Sequence, residues 1–298
     1  MGIPIGRPDW ADVAHMTPET PDRPALRWHG GKWILSPWII SHFPKHRIYV
    51  EPWGGAASVL LRKARVYAEV YNDLDEEVVN LFRVLQSPES ARRLVEILEV
   101  TPFSRKEFEL SFLRHSDYIE RARRLIIRSF MGFGSDAPTS GRKSVGSGKA
   151  HTGFRSNSNR SGTTPAHDWK NYPDSLQIVI ERWRGVVVEC RPALEILGRY
   201  DTKETLFYCN PPYLHSVRSD SRGEYAHEMS DDEHSAMLLS LKSIQGFVIL
   251  SGYPNALYDS LGWEKVCRPS FADGARSRVE CLWLNPRVSE IRNGEMLL

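Results

Sequence analysis

Four consecutive residues, Asn210-Pro211-Pro212-Tyr213, combine side chains that could bind and orient a substrate. They follow an apolar run of strand length, residues 206–209, and the prolines prevent the chain from continuing as a central strand. Open α/β sheets bind ligands at the carboxyl ends of their strands. The turn would there present two acceptors, Asn210 Oδ1 and the Pro211 carbonyl oxygen, beside the Tyr213 ring, which suits a planar base with an exocyclic amine. The alternative is an ordinary Pro-Pro turn that ends a buried strand.

A second stretch with chemical potential is the small-residue loop Glu51-Pro-Trp-Gly-Gly-Ala56, which lies between a predicted strand at 47–50 and a helical pattern. In this arrangement backbone N–H groups and a helix N-terminus can meet a ligand. The glycine spacing differs from the dinucleotide fingerprint. Asp73 follows a predicted strand at 66–71, about 20 positions beyond the loop, where an acid usually holds a ribose hydroxyl pair. Residues 75–77 instead suit the acidic start of a helix.

The segment Leu26-Arg-Trp-His-Gly-Gly-Lys32 has a lysine directly behind two glycines, which permit a close backbone approach. A phosphate-binding loop is disfavoured, because the Walker spacing is absent and no Ser or Thr follows Lys32. The local pattern therefore favours a turn before a helix, with the lysine in solvent.

Alternating strands and helices must position these residues. Strand patterns at 186–190, 206–209 and 246–251 alternate with helical ones, and residues 279–284 form a predicted final strand. The alternation predicts an α/β fold with a largely parallel, doubly wound sheet. Helical patterns cover residues 78–128 and 169–183, and the first of these contains four arginines interpreted as a solvated basic face, Arg121, Arg123, Arg124 and Arg128.

A basic, Ser- and Gly-rich stretch at residues 135–165 interrupts this alternation, and its one acid is Asp136. A flexible cationic loop of this kind suits a phosphate backbone, whereas a linker with incidental charge is the alternative. The candidate DNA-binding residues are Arg142, Lys143, Arg155, Arg160 and, in a later polar loop, Arg218. The predicted division is an extended leader at 1–24, a catalytic domain at 25–84 and 175–298, and an insertion at 85–174.

Composition limits the function classes. The 298 residues include 26% charged and 41% hydrophobic ones, and the net charge is only +2, so overall charge does not predict nucleic-acid binding. The four cysteines include no C-x-x-C pair, which argues against zinc and against a disulfide framework and favours a reducing compartment. No apolar run has the length of a membrane span, and no signal peptide begins the chain. A soluble, cytoplasmic protein is expected.

Taken in their order along the chain, the motifs resemble those of the Dam-like (D12 class, alpha-group) adenine-N6 DNA methyltransferases, particularly phage-borne members. In that family the cofactor loop precedes the target-recognition segment, and an Asp/Asn-Pro-Pro-Tyr motif follows it. The segments that carry the resemblance are Leu26–Lys32, Tyr49–Ala56, Asn72-Asp73, Tyr208–Tyr213 and, in the tail, Arg278–Pro286. The resemblance implies a Rossmann-like, S-adenosylmethionine-dependent methyltransferase sheet with an inserted, mainly helical target-recognition domain.

The resemblance also implies the roles of individual residues, with S-adenosylmethionine as cofactor, S-adenosylhomocysteine as product and an adenine in double-stranded DNA as substrate. The catalytic residues would be Asn210, Pro211, Pro212 and Tyr213. The cofactor-binding residues would be Trp28, Lys32, Glu51, Pro52, Trp53, Gly54, Gly55, Ala56, Asp73, Leu74, Cys190, Arg191 and Asn210. Asn210 stands where the group more commonly has Asp, so its acceptor oxygen is kept without the charge of a full general base. The resemblance implies no metal. A monomer or weak dimer in a bacterial or phage-infected cell is expected. Both an orphan methylase and a member of a restriction-modification system fit the resemblance.

The chemistry expected at this motif is direct transfer from a sulfonium to the adenine N6. The N6 lone pair is delocalised into the ring, so Asn210 Oδ1 and the Pro211 carbonyl would hold its hydrogens and favour a pyramidal nitrogen. Tyr213 would stack on the base, which must first leave the duplex. No covalent nucleophile is needed, and the chain has no Pro-Cys dipeptide. The alternatives are an N4-cytosine methylase, an RNA or protein-glutamine methylase, and a catalytically silent DNA-binding relative.

Overall fold

The computed structural model describes residues 20–134, 137–140, 152–156, 164–217, 225–272 and 276–294. Within these residues a single sheet of seven strands has the order β3-β2-β1-β4-β5-β7-β6. The strands are β1 (Ile48–Glu51), β2 (Ala68–Asn72), β3 (Val187–Glu189), β4 (Thr205–Cys209), β5 (Phe247–Gly252), β6 (Glu264–Ala272) and β7 (Arg276–Leu284). The Rossmann-like α/β fold expected from the sequence is confirmed.

The helices lie between these strands and in the long segment that separates β2 from β3. They are α1 (Ser36–Ile40), α2 (Ser58–Arg62), α3 (Glu76–Gln86), α4 (Pro88–Glu99), α5 (Arg105–Leu110), α6 (Tyr118–Met131), α7 (Ala137–Ser140), α8 (Pro165–Lys170), α9 (Tyr172–Trp183), α10 (Ala193–Tyr200), α11 (Asp231–Lys242), α12 (Ala256–Asp259) and α13 (Pro286–Arg292). None of the helices in the described ranges is both long and apolar enough to cross a membrane.

The five strands β1 to β5 are parallel, and their order reverses direction between β1 and β4. The chain moves from β1 outwards to β2 and β3 on one side, and then returns to place β4 against the other side of β1. Such a reversal leaves a crevice at the carboxyl ends of the two central strands. Glu51 ends β1, and Asn210 directly follows β4. The topology therefore brings the glycine loop and the Asn-Pro-Pro-Tyr segment to the same crevice.

Helices cover both faces of the sheet, because successive residues of a strand point to opposite sides. Tyr49 of β1 belongs to one apolar cluster, which also contains Ile126 of α6 and Trp183 of α9. Val50, the next residue of β1, belongs to the cluster on the other face, with Leu238 of α11. The helical residues between β2 and β3 thus share a core with the sheet.

The carboxyl-terminal edge of the sheet departs from the parallel prediction. Strand β7 pairs antiparallel with β5 and with β6, and no strand was predicted at 264–272. Cys267 and Cys281 lie opposite each other in this pair and form a disulfide. The sequence argued against a disulfide framework and did not predict this single disulfide, because the two cysteines meet only through a strand pairing that the sequence pattern did not reveal.

The arginines of α6 are not a solvated basic face, so that interpretation was wrong. Arg128 is only 2% exposed. Arg123 forms ion pairs with Glu120 at 2.7 Å and Glu107 at 2.8 Å, and Arg121 pairs with Glu77 at 2.5 Å. These arginines form ion pairs with glutamates of the helical segment, so their charges are largely compensated there.

Candidate functional site

The crevice between β1 and β4 contains a cleft of about 940 Å³, part of it open to solvent. Among the residues expected to bind a cofactor or to act in catalysis, those that line the cleft are Trp28, Lys32, Glu51, Pro52, Trp53, Gly54, Gly55, Ala56, Asp73, Leu74, Asn210 and Pro212. Residues predicted from four separate segments of the sequence therefore meet at one site.

The loop after β1 needs glycine for two different reasons. A Cβ on Gly54 would lie 2.2 Å from Cε2 of Tyr71, whose side chain is fully buried. Gly55 has a φ of +48°, and a Cβ there would lie 2.9 Å from Nε1 of Trp28. The loop backbone consequently runs directly against its neighbours and forms one wall of the cleft.

Asn72 and Asp73, at the end of β2, hold this loop in place. The Gly54 N–H donates to the Asn72 carbonyl oxygen at 2.8 Å, and Asn72 Nδ2 donates to the Pro52 carbonyl at 2.8 Å. Asp73 Oδ2 accepts from the Gly55 N–H at 2.8 Å, while Oδ1 accepts from the Asp75 N–H at the same distance. Asp75 in turn caps α3, as the sequence predicted. Asp73 thus links the glycine loop to the start of α3 and also lines the cleft.

Glu51 is a buried carboxyl in the cleft wall. Its Oε1 accepts hydrogen bonds from the Tyr49 hydroxyl at 2.7 Å and from the Leu60 N–H at 2.8 Å. Burial raises the pKa of Glu51 to about 7, more than these hydrogen bonds lower it. The group is therefore poised to lose its proton near neutral pH.

Lys32 is buried rather than in solvent, so the local expectation for it was wrong. Its side chain is 3% exposed and donates to the Tyr213 hydroxyl at 2.5 Å and to the Gly30 carbonyl at 2.9 Å. The ammonium also forms an ion pair with Glu280 Oε1 at 3.4 Å. Burial lowers the pKa of Lys32, and Glu280 partly restores it. The pairing of Lys32 with Glu280 was not predicted, because the two residues are 248 positions apart in the chain.

Asn210 presents its amide at the carboxyl end of β4. Its Nδ2 donates to the Gly30 carbonyl at 3.4 Å. Its Oδ1 is buried and accepts no hydrogen bond from any residue of the described ranges. Leaving a buried acceptor without a donor costs about 1–3 kcal/mol. The orientation thus keeps an acceptor available beside the cleft.

Tyr213 is buried and is not among the described residues that line the cleft. Its ring stacks on Tyr253, with centroids 4.3 Å apart and an interplanar angle of 15°. Its hydroxyl accepts from Lys32 and donates to Glu280 Oε2 at 3.3 Å. Both the ring and the hydroxyl are therefore fixed before any ligand binds.

The remaining predicted residues lie elsewhere. Cys190 and Arg191 are not among the described residues that line the cleft, although the Arg191 backbone exchanges two hydrogen bonds with the Asn72 side chain at 2.9 Å. Arg155 lies 4.0 Å from Asp168. Arg142, Lys143, Arg160 and Arg218, with most of the 135–165 loop and of the 1–24 leader, fall outside the described residues.

Several residues of the site were not predicted from the sequence. Residues 225–229 line the cleft, and a Cβ on Gly30 would lie 2.7 Å from the hydroxyl oxygen of Tyr225. Glu280 carries the one signal that was available, a carboxylate within the apolar run 279–284. Within the described ranges, no group of three or more His, Cys, Asp or Glu residues could hold a metal ion.

Comparison with known families gives one match. The model of the family described as D12 class N6 adenine-specific DNA methyltransferase matches residues 28–256, which is more than half of the chain. A search of curated proteins gave no match. The matched range contains Trp28, Asp73 and Asn210 but ends before β6 and β7.

Proposed function

The chain belongs to the D12 class N6 adenine-specific DNA methyltransferases, and from this premise we propose that S-adenosylmethionine is its methyl donor and that transfer takes place in the cleft between β1 and β4. The reaction of the family is methylation of the adenine N6 in DNA, so the N4-cytosine and catalytically silent alternatives are not favoured. The residue roles and the cofactor are the proposal.

The observation that carries the proposal is the buried, unsatisfied Oδ1 of Asn210. An exocyclic amine has two N–H donors, and Oδ1 would accept one of them while the Pro211 carbonyl accepts the other. Binding of the amine would remove the cost of the orphaned acceptor, which makes the site selective for a base that carries such an amine. Asn210 is uncharged, so its role is to hold and orient N6 rather than to take its proton fully.

The cofactor is expected to lie along the glycine loop. The close approach of the Gly54-Gly55 backbone and the position of Asp73 in the cleft lining both fit a nucleoside with an amino acid chain. Asp73 would accept from the ribose hydroxyls, and Trp28 would border the amino acid end. When bound, the cofactor supplies an activated methyl group on a positive sulfur. The protein contributes alignment of that methyl with N6.

Tyr213 is the proposed aromatic neighbour of the flipped base. Its stack on Tyr253 and its two hydroxyl contacts hold the ring in one orientation. A ring that is already fixed loses little conformational entropy when a base packs against it. The ordered ring would therefore offset part of the cost of taking the base out of the duplex.

DNA contacts are proposed for the helical insertion at 85–174 and for its basic loop at 135–165. Since phosphate contacts carry affinity without sequence information, removal of the loop should weaken DNA binding and flatten its salt dependence. Cofactor affinity should not change, and an unchanged salt slope in a DNA-binding titration would contradict this assignment.

The test of the proposed function is a product analysis. The protein is incubated with methyl-labelled S-adenosylmethionine and double-stranded DNA, and the DNA is then digested to nucleosides. The expected product is labelled N6-methyladenine, and Asn210→Ala should abolish it while leaving much of the DNA affinity. The matched control is Asn80→Ala, which removes an asparagine outside the cleft that bonds to the Tyr118 carbonyl. Label in N4-methylcytosine, or none in DNA, would refute the proposal.

A further inference from the structure

Glu280 is a buried carboxylate that lies beyond the residues matched by the family model. It belongs to β7, which pairs antiparallel with β5. Ser251 Oγ donates to its Oε1 at 2.8 Å, the Tyr213 hydroxyl donates to its Oε2 at 3.3 Å, and Lys32 Nζ lies 3.4 Å from Oε1. The carboxylate therefore joins β5, the Asn-Pro-Pro-Tyr segment and the amino-terminal glycine turn.

The ion pair of Lys32 and Glu280 borders the place where the methyl group would be transferred. Lys32 Nζ and Asn210 Nδ2 both donate to the carbonyl oxygen of Gly30, at 2.9 and 3.4 Å. An ammonium at this position would repel a positive sulfonium in the same cleft, because a partly buried site screens charge poorly. The tyrosines around the pair, Tyr208, Tyr213 and Tyr253, add no charge at neutral pH, since burial raises their pKa values.

We propose that Glu280 is a positioning residue that neutralises Lys32 and fixes the Tyr213 hydroxyl, so that the cleft accepts a cationic methyl donor. The inference rests on the proposed function, because it requires S-adenosylmethionine in this cleft. A carboxylate is required at position 280 for its charge as well as for its hydrogen bonds. A glutamine, which keeps the shape and can still accept from Ser251, would leave the Lys32 ammonium without its counter-ion.

The experiment compares binding of two ligands that differ in one charge. S-adenosylmethionine carries the positive sulfonium, and S-adenosylhomocysteine has a neutral thioether in its place. Both ligands are titrated calorimetrically at mildly acidic pH, where an unpaired ammonium is most costly to deprotonate. The preference for S-adenosylmethionine over S-adenosylhomocysteine should be about tenfold lower in Glu280→Gln than in the wild type. The double variant Lys32→Met/Glu280→Gln removes both charges and should recover the preference to within about twofold of the wild type.

A matched control separates charge balance from loss of a buried ion pair. Glu69 in β2 pairs with Lys63 at 2.5 Å and with Arg182 at 2.7 Å, and it is as buried as Glu280. Glu69→Gln should lower the midpoint of thermal unfolding without changing the ligand preference. The double variant lacks both the Lys32 ammonium and the Glu280 carboxylate, so it leaves no unpaired buried charge and should fold even if Glu280→Gln alone does not. Its ligand preference can then still be measured.

The outcomes distinguish this inference from the proposed function. If the wild type binds S-adenosylmethionine and methylates adenine but Glu280→Gln keeps the wild-type preference, or the double variant does not recover it, the role of Glu280 is refuted and the proposed function stands. A wild type that binds neither ligand overturns both.

Discussion

Replacing Gly54 by alanine tests whether the loop after β1 is shaped by its contact with the sheet. The new Cβ would lie 2.2 Å from Cε2 and 2.4 Å from Cδ2 of Tyr71, whereas ordinary contacts between carbon atoms are about 3.5–4.0 Å. Tyr71 cannot turn away, because its ring packs on Phe82 and Trp183 and its hydroxyl donates to the Gly55 carbonyl at 2.7 Å. The loop must therefore move.

The cost of Gly54→Ala in stability follows from movement of the loop, because Tyr71 is held in place. Overpacking of a rigid site typically costs about 1–3 kcal/mol, and the displaced loop would also lose the hydrogen bond from the Gly54 N–H to Asn72. We expect Gly54→Ala to lower the free energy of unfolding by about 2 kcal/mol. Because the same loop forms the cleft wall, affinity for S-adenosylhomocysteine should fall about tenfold or more.

Urea denaturation measures the first quantity and calorimetric titration with S-adenosylhomocysteine measures the second. Gly198→Ala is the matched control, because a Cβ at this position in α10 meets no atom within 4 Å. There the alanine should raise the free energy of unfolding by about 0.5–1 kcal/mol through its higher helix propensity, with unchanged affinity. A Gly54→Ala protein that binds with wild-type affinity would show that the close approach to Tyr71 does not shape the site.

Further predictions concern buried groups around the cleft and the edge of the sheet. The pKa of Glu51 is raised from 4.5 to about 7, so between these values the folded state holds a proton that the unfolded state has released, and stability falls as pH rises through this window. Glu51→Gln should abolish this pH-dependent loss of unfolding free energy, which is at most about 3 kcal/mol. Denaturation at several pH values measures it, and parallel pH profiles of the two proteins would contradict the prediction. Asn72→Ala breaks the contacts to Pro52 and Arg191 and should cost about 2–3 kcal/mol in urea denaturation, whereas a loss below the measurement error would show that the loop does not depend on them. Reduction of the Cys267–Cys281 disulfide, whose cysteines are 14 positions apart, should lower stability by about 2–3 kcal/mol, and the reductant should have no effect on Cys267→Ser.

Local patterns in the sequence were enough to predict the parallel part of the sheet. Strands β1, β2, β4 and β5 are short apolar runs that end in turn-forming or small residues, and helices with a regular apolar face lie between them. The start of α3 was also predictable, because an N-cap such as Asp75 acts on backbone groups two and three residues away. The antiparallel strand β6 was missed, since its exposed edge position gives it no continuous apolar pattern.

The segments that form the site could be identified from the amino-acid sequence, because small-residue loops and the Asn-Pro-Pro-Tyr turn depend on residues that are neighbours in the chain. The pairing of the charged groups depends instead on the three-dimensional fold. Lys32 looked like a lysine in solvent, and Glu280 like one polar residue in a strand, until the sheet order placed β7 beside β5 and brought the two side chains to 3.4 Å. The burial that makes their charges matter arises from strand pairing across most of the chain, which no local pattern encodes.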